Sequence, residues 1–452
     1  MSAKPDPARR AAFEAMKAVR VKGAYTNLVL PHLLGKYRLD GRDAAFATEL
    51  VAGTIRRQGT YDAILAACID RPLAGTQAKV LDVLRLGCHQ LLGMRVAPHA
   101  AISTSVDLVR SEVGPGPAGF VNAVLRRVSA HDLESWLDGV DADRSTRFSH
   151  PEWVVDALTD AVGAEEIDSL LAADNEPPAV TLVAWPGRST VAELPGEPTT
   201  FSPYGVVSSG GSPAAVPAVS EGRAGVQDEG SQLVAHALAE APVEGADERW
   251  LDLCAGPGGK AALLAALAAG RGARLVANEV LPHRAELVRR ALGLDPARPA
   301  PPGVETVTVE DGTAPPWPVG SFDRVLVDAP CTGLGALRRR PEARWRRRPE
   351  DLRALVPLQL ALVDRALALV RPGGVVLYAT CSPVRAETGD LVGSVLVDRD
   401  DVTLGDVRPL LTAAAGLRAD VPRCDGPLEG TAQLWPHRHD TDAMFLALLR
   451  PR

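Results

Sequence analysis

Apolar positions recur at helical spacing through the first third of the chain. Ala12, Phe13, Met16 and Val19 make one stripe of an amphipathic helix. The same spacing predicts helices over 44–55, 60–69, 78–94, 102–113 and 119–128, joined by short links carrying Gly, Pro or Asp. No strand-like alternation of any length interrupts 6–130, so this part reads as a compact all-α domain. The texture then changes. Pro151 suits a first helical position and predicts a helix over 152–161. A second, over 165–173, ends at Asp174-Asn175-Glu176-Pro177-Pro178. Positions 180–185 read as a strand. From 186 to 225 Pro, Gly and Ser dominate, with short β segments such as Gly205-Val206-Val207 expected. That stretch is either a small α+β substrate-binding segment or a linker with little fixed structure.

Beyond 226 the period alternates between strand and helix. A helix over 227–238 precedes a strand at 250–253. The strand runs into Cys254-Ala255-Gly256-Pro257-Gly258-Gly259-Lys260 and a helix over 261–269. Glycines let backbone approach a ligand closely, and a helix N-terminus offers free N–H groups. The next strand, 275–278, ends at Glu279. An acid about 20 residues past such a loop is placed to accept from ribose hydroxyls. A strand over 304–309 ends in Glu310-Asp311-Gly312. The apolar run Val325-Leu326-Val327, a strand buried on both faces, ends in Asp328-Ala329-Pro330-Cys331-Thr332-Gly333. A helix over 357–370 and a turn at Arg371-Pro372-Gly373-Gly374 lead to a strand over 375–379. That strand ends in Thr380-Cys381-Ser382-Pro383. A helix over 387–397 and a strand over 443–449 complete the pattern. Four successive strands thus end in the glycine loop, Glu279, Asp311 and Asp328, and in open α/β sheets ligands bind outside such carboxyl ends. The loop is not the G-x-G-x-x-G of dinucleotide folds, and Pro257 stiffens it.

Composition narrows the picture. The 452 residues are 46% apolar, enough for a sizeable core, and the net charge of −7 gives no global sign of a nucleic-acid partner. No apolar run approaches the ~18 residues of a membrane helix, and the polar, charged start shows no signal peptide. Six scattered cysteines argue against a disulfide framework and a structural zinc site, and point to a reducing cytoplasm. His437 and His439 are read as surface residues; they could join Asp440 and Asp442 around a metal, but no Cys lies close by and the segment reads as a loop, so no metal is expected. Cys88 and His89 are helix neighbours that cannot face each other; they read as core, as does Cys68. One segment breaks the acidic balance: 338–348 carries seven arginines against one glutamate, a local 7 − 1 = +6. It follows Cys331 closely, so it is expected to rim the crevice, hold phosphates and stack Trp345 on a base.

Two cysteines at strand ends of one sheet need a chemical reason. Carbon 5 of a pyrimidine is a weak nucleophile; a thiolate adding to carbon 6 makes carbon 5 electron-rich enough to take a methyl group. One Cys then serves as nucleophile, an acid holds or protonates the base edge, and a second thiol helps break down the adduct. Asp328, Cys331 and Cys381 meet these demands. Which thiol attacks is not decided by spacing.

The loop and the acids that follow it resemble the S-adenosylmethionine-dependent methyltransferase fold. Asp328-Ala329-Pro330-Cys331-Thr332-Gly333 with Thr380-Cys381-Ser382-Pro383 resembles the two cysteine motifs of RNA (cytosine-5) methyltransferases. Arg9-Arg10-Ala11-Ala12-Phe13, 84–92, Pro98-His99-Ala100-Ala101-Ile102 and 119–127 resemble NusB-family RNA-binding domains. Together they resemble the RsmB (Fmu/Sun) group, over nearly the whole chain. The resemblance implies three regions: an all-α NusB-like RNA-binding domain (1–140), a small segment (141–225) and an α/β Rossmann-like catalytic domain (226–452). It implies Cys381 as nucleophile and Cys331 as the assistant in product release. It also implies S-adenosylmethionine held by Cys254, Ala255, Gly256, Pro257, Gly258, Gly259, Lys260, Glu279, Asp311 and Asp328. Small-subunit ribosomal RNA is the implied substrate, with contacts from helix-end residues such as Arg126 and Arg127. A tRNA-directed enzyme of the same chemistry and a non-catalytic RNA-binding assembly factor stay open. The group often has Ser at the place of Thr332 and Asp at the place of Glu279, and Leu182-Val183-Ala184 stands where it usually has Arg-Val-Asn.

Overall fold

The computed structural model describes residues 6–295, 297 and 299–452. They form two compact units. The first holds the chain up to Thr159 with Ala164–Pro177 and, from far along the sequence, Leu337–Arg347; the second holds Asp160–Gly163, Pro178–Ala336 and Arg348–Arg452.

The first unit is helical. Its long helices are Pro7–Lys22, Thr26–Tyr37, Gly41–Arg56, Gln58–Cys68, Ala78–Leu92, Pro98–Glu112 and Ala118–Val128. The first begins as its sequence dictates: the Asp6 carboxylate accepts from Arg9 N at 2.9 Å and Pro7 occupies the first turn. It ends on Gly23 at φ 60°, a left-handed cap. Phe13, Met16, Leu50, Ile55, Ile64, Leu84 and Leu125 share one apolar core. The helix Thr26–Tyr37 was not anticipated, since Pro31 inside it reads as a breaker. Cys88 is buried in the core, and His89 is spent on Tyr61 Oη (2.8 Å) and Glu49 Oε1 (3.2 Å).

The second unit opens with a small antiparallel sheet of β1 (Thr181–Ala184), β2 (Gly196–Pro198), β3 (Gly205–Ser208) and β4 (Ala224–Val226), ordered β2-β3-β1-β4. The linker reading of 186–225 therefore gives way to fixed structure. β1 alternates as a strand buried on both faces: Leu182 and Ala184 pack with Leu194, Val206 and Val216, while Val183 and Trp185 join the large core of this unit.

The main sheet contains β5 (Arg249–Asp252), β6 (Arg274–Asn278), β7 (Val304–Thr308), β8 (Phe322–Asp328), β9 (Val370–Thr380), β10 (Val402–Gly405), β11 (Ala432–Gln433) and β12 (Phe445–Pro451). The order is β10-β12-β9-β8-β5-β6-β7, with β11 pairing β12. β5 to β9 are mutually parallel, and β12 runs antiparallel to β9 and β10. The chain proceeds from β5 outward to β6 and β7, then returns to the other side of β5 for β8 and β9. That reversal opens a crevice at the carboxyl ends of β5 and β8. Two expectations are corrected here. Pro357 lies inside the helix Leu352–Leu369, which follows a short turn opened by Pro349. The turn expected at 371–374 is an irregularity within β9, where the pairing with β8 jumps from Phe322↔Val370 to Arg324↔Val375.

Candidate active site

The glycine loop leaves β5 at Asp252 and enters the helix Gly259–Gly270. Gly258 adopts φ 114°, and a Cβ there would come within 2.6 Å of Ala291 Cβ. At Gly256 a Cβ would fall 2.1 Å from Glu279 Oε2, so the backbone and that carboxylate face each other with no room for a side chain. Glu279 is buried and accepts from Leu281 N at 3.0 Å; Arg284 lies 3.5 Å from its other oxygen and donates to Gly256 O at 2.6 Å. Asn278 sets the end of β6: it donates to Leu253 O and Glu310 O and accepts from Thr308 Oγ1 and Glu310 N.

Two buried polar side chains beside this loop carry atoms with no partner among the described residues. Both amide atoms of Gln227 are unsatisfied, and the side chain lies against Gly259. Oδ2 of Asp252 is likewise unpaired, and burial together with the neighbouring Asp328 pushes the Asp252 carboxyl up to about 8. Orphans of this kind are rare in native interiors, and beside a glycine cradle they are free to pair with a bound ligand. Asp311 differs. It is exposed, and its Oδ1 accepts from Thr313 N (2.9 Å) and Thr313 Oγ1 (2.7 Å), which hold its carboxyl below the usual range. It closes a turn.

At the other side of the crevice, β8 and β9 run side by side with Asp328 opposite Ala379. Three residues on from Asp328 and two from Ala379 stand the two thiols: Cys331 Sγ lies 3.5 Å from Cys381 Sγ, and neither is in a disulfide. Cys331 is buried and Cys381 half-buried. The hydrogen bond to Cys381, with burial, raises the Cys331 thiol well above its ordinary value. Lys260, from the glycine loop, donates to Asp328 Oδ2 at 2.9 Å. Burial acts to lower the Lys260 ammonium, but Asp328 and Cys381 outweigh it and hold it above the usual lysine range. The structure thus gathers Lys260, Asp328, Cys331 and Cys381. The sequence reading missed Gln227, Asn278, Gln359 and Glu387; for Glu387, its place six residues after Cys381 was the one available signal.

The arginine segment overturns its expectation. Leu337–Arg347 is a strap of the first unit, with Arg338 and Arg344 buried and Arg339, Arg340, Arg346 and Arg347 half-buried. Arg344 is fully buried and donates to Arg56 O, Ser149 O, Asp174 O and Asn175 Oδ1. Glu342 accepts from Thr26 N and Thr26 Oγ1, both at 3.0 Å, and so caps the helix Thr26–Tyr37. Trp345 donates to Ile55 O at 2.7 Å and fills the space left by Gly59, where a Cβ would meet its ring at 2.7 Å. Arg340 and Arg346 lie over the Tyr25 ring. Trp345 is therefore no platform for a base. His439, expected at the surface, is buried and held by Trp435 N and Pro422 O.

A parallel sheet that reverses at its first strand, with a glycine loop set against an acid, is the cofactor crevice of a nucleotide-type α/β fold, and the family match makes it that of an S-adenosylmethionine-dependent methyltransferase. Residues 238–450 match the family model described as 16S rRNA methyltransferase RsmB/F, and residues 6–130 match the NusB family. Rv1407 of Mycobacterium tuberculosis, named as a methyltransferase, is 50% identical over 98% of this chain and 96% of its own length. Ribosomal RNA small subunit methyltransferase B of Pseudomonas putida is 33% identical over 91% of this chain and 92% of its own. The crystal structure of PH0851 shares the fold over the full length of both chains, with a TM-score of 0.79 at 21% identity. The chain belongs to the RsmB family of RNA methyltransferases. The residues present fit the cofactor this family uses. The Gly256 cradle admits no side chain, and Gln227 and Asp252 offer buried polar atoms that await partners. No helix among the described residues is long and apolar enough to cross a membrane.

Proposed function

We propose that this protein methylates carbon 5 of a cytosine in small-subunit ribosomal RNA through a transient covalent bond between Cys381 and the base. S-adenosylmethionine, once bound, supplies an electrophilic methyl group. The observation that carries the reading is the pair of thiols 3.5 Å apart beside the Lys260–Asp328 ion pair. The Cys381 thiolate adds to carbon 6, and the displaced ring electrons make carbon 5 the nucleophile toward the methyl. Asp328, steadied by Lys260, holds the polar edge of the base. Loss of the carbon-5 proton to a base then restores the ring double bond and expels Cys381 as thiolate. Cys331, whose thiol the hydrogen bond to Cys381 and burial raise well above its ordinary value, assists that expulsion. Glu279 and the loop 254–260 hold the cofactor; Asp311 has the weakest claim in the set, since it already serves Thr313.

The target nucleotide must be unpaired or extruded to reach a half-buried thiol. The name of the Pseudomonas relative supports ribosomal RNA over tRNA, and a cytoplasmic setting follows from that substrate. The region 1–140 is assigned to RNA binding, with Arg126 and Arg127 exposed at the end of their helix. The region 226–452 is assigned to catalysis, and 141–225 to presenting the substrate.

Denaturing gels with labelled RNA test the chemistry. Cys331→Ala is expected to trap a covalent protein–RNA adduct, and Cys381→Ala to give neither adduct nor 5-methylcytosine. The opposite pattern reverses the roles. No adduct in either variant, beside an active wild type, removes the covalent mechanism.

A further inference from the structure

The rung from Ala329 N to Ala379 O, 2.9 Å, lies at the carboxyl ends of β8 and β9. Both thiols stand beyond it, on loops past the β8–β9 pairing; Cys381 O accepts from Gly335 N at 2.9 Å, and no strand pairing among the described residues fixes either sulfur. Within those loops, the residue after each thiol carries a hydroxyl: Thr332 after Cys331, Ser382 after Cys381. Both hydroxyls converge on one carboxylate. Glu387 Oε2 accepts from Thr332 Oγ1 at 2.5 Å and from Ser382 Oγ at 2.6 Å; Oε1 accepts from Thr332 N at 2.8 Å and from Gln359 Nε2 at 2.9 Å. Gln359 also donates to Pro330 O at 2.8 Å, on the other side of Cys331. Tyr378 Oη donates to Glu387 O at 2.8 Å and fixes the backbone that carries the acid.

Glu387 is fully buried, and its four donors are all neutral. An ionised carboxylate taken out of water without a cation is costly unless hydrogen bonds replace its hydration. Here the replacement comes from both cysteine loops at once. A carboxylate serving only the stability of one loop would need no donor from the other. The Thr332 and Ser382 oxygens, both within hydrogen-bond reach of Oε2, sit 3.0 Å from each other, where either can donate. Their neighbours, the two sulfurs, sit 3.5 Å apart.

We propose that Glu387 is the positioning residue that sets the spacing and aim of the two thiols, with Thr332 and Ser382 as its handles. The inference rests on the reading that the thiols work as a pair. It concerns geometry, so it has a readout separate from catalysis: the rate at which diamide joins Cys331 and Cys381 in a disulfide, which requires the sulfurs to meet in a narrow geometry.

The test compares Glu387→Gln, Thr332→Val, Thr332→Ser and Ser382→Ala with the wild-type protein. It reads diamide cross-linking, calorimetric affinity for S-adenosylmethionine, and kcat and KM on the RNA. A misplacement near 1 Å costs about a hundredfold in rate. Glu387→Gln is expected to lower kcat by that order and to slow cross-linking about tenfold, with cofactor affinity and RNA KM within about threefold of wild type. Thr332→Val and Ser382→Ala should each show a smaller loss of both rates, and Thr332→Ser should recover most of what Thr332→Val loses. A folded Glu387→Gln protein with wild-type cross-linking and kcat overturns the proposal. Should Glu387→Gln fail to fold, unchanged cross-linking and kcat in both handle variants overturn it equally. Slowed cross-linking beside a wild type that methylates no cytosine upholds the positioning role and sinks the function proposed above.

Discussion

Asp252→Asn isolates the most displaced carboxyl of the crevice. Asp252 is fully buried at the end of β5, with Oδ2 unpaired and Asp328 nearby, and its carboxyl is pushed from an ordinary 3.8 to about 8. Between those two values the folded protein holds a proton that the unfolded chain has released. Stability therefore falls as pH rises through that window, by a little over 1 kcal/mol per pH unit for this one group. From pH 5 to 7.5 that amounts to roughly 3 kcal/mol. Asn mimics the protonated acid, keeps an acceptor for Cys254 N and cannot titrate. The wild-type and variant curves should thus diverge with pH, the variant gaining on the wild type as pH rises. Taking the difference cancels the contributions of other groups. The assay is hydrogen exchange read on peptides from β5 and β8 across a urea series, which follows the second unit by itself. Curves that stay parallel within about 0.5 kcal/mol from pH 5 to 7.5 would show that Asp252 is ionised in the fold, and the account of the crevice as holding a neutral acid beside Lys260–Asp328 would fail.

Gly256→Ala drives a methyl against Glu279 Oε2, so calorimetry should show S-adenosylmethionine affinity down roughly 10- to 100-fold, as for loss of charge-assisted hydrogen bonds, with the fold retained. Arg344→Met strips four acceptors of a buried donor and should destabilise the first unit by about 3–5 kcal/mol, seen as faster exchange in the helix Gly41–Arg56 without change in the strands of the second unit.

Helices and strands were legible wherever a single period ran long enough to read. Phe13 and Met16 sit on a buried face, and the apolar run before Asp328 is a strand buried on both faces. The strand-end residues were legible because a parallel sheet delivers consecutive strand ends to one edge, which is how Cys331 and Cys381 come together from 50 positions apart. Glu387 and Gln359 were not, because their partners are set by the loops of other strands and leave no periodic trace. The strands between 186 and 225 are three or four residues long, too short for alternation to rise above their Pro, Gly and Ser. The arginine segment misled for a different reason. A charge count treats each guanidinium as solvated, whereas Arg344 spends its donors on three backbone carbonyls and the Asn175 amide oxygen, neutral acceptors that a charge count does not register.

The strap has a consequence for the order in which the polypeptide matures. Helices made within the first 177 residues wait for their N-terminal cap, their filler at Gly59 and the donors for their open carbonyls until position 347 has emerged. At typical elongation speeds those 347 − 177 = 170 residues take on the order of ten to thirty seconds. The nascent N-terminal segment thus spends that interval unfinished, and its completion always follows synthesis of the Cys331 motif.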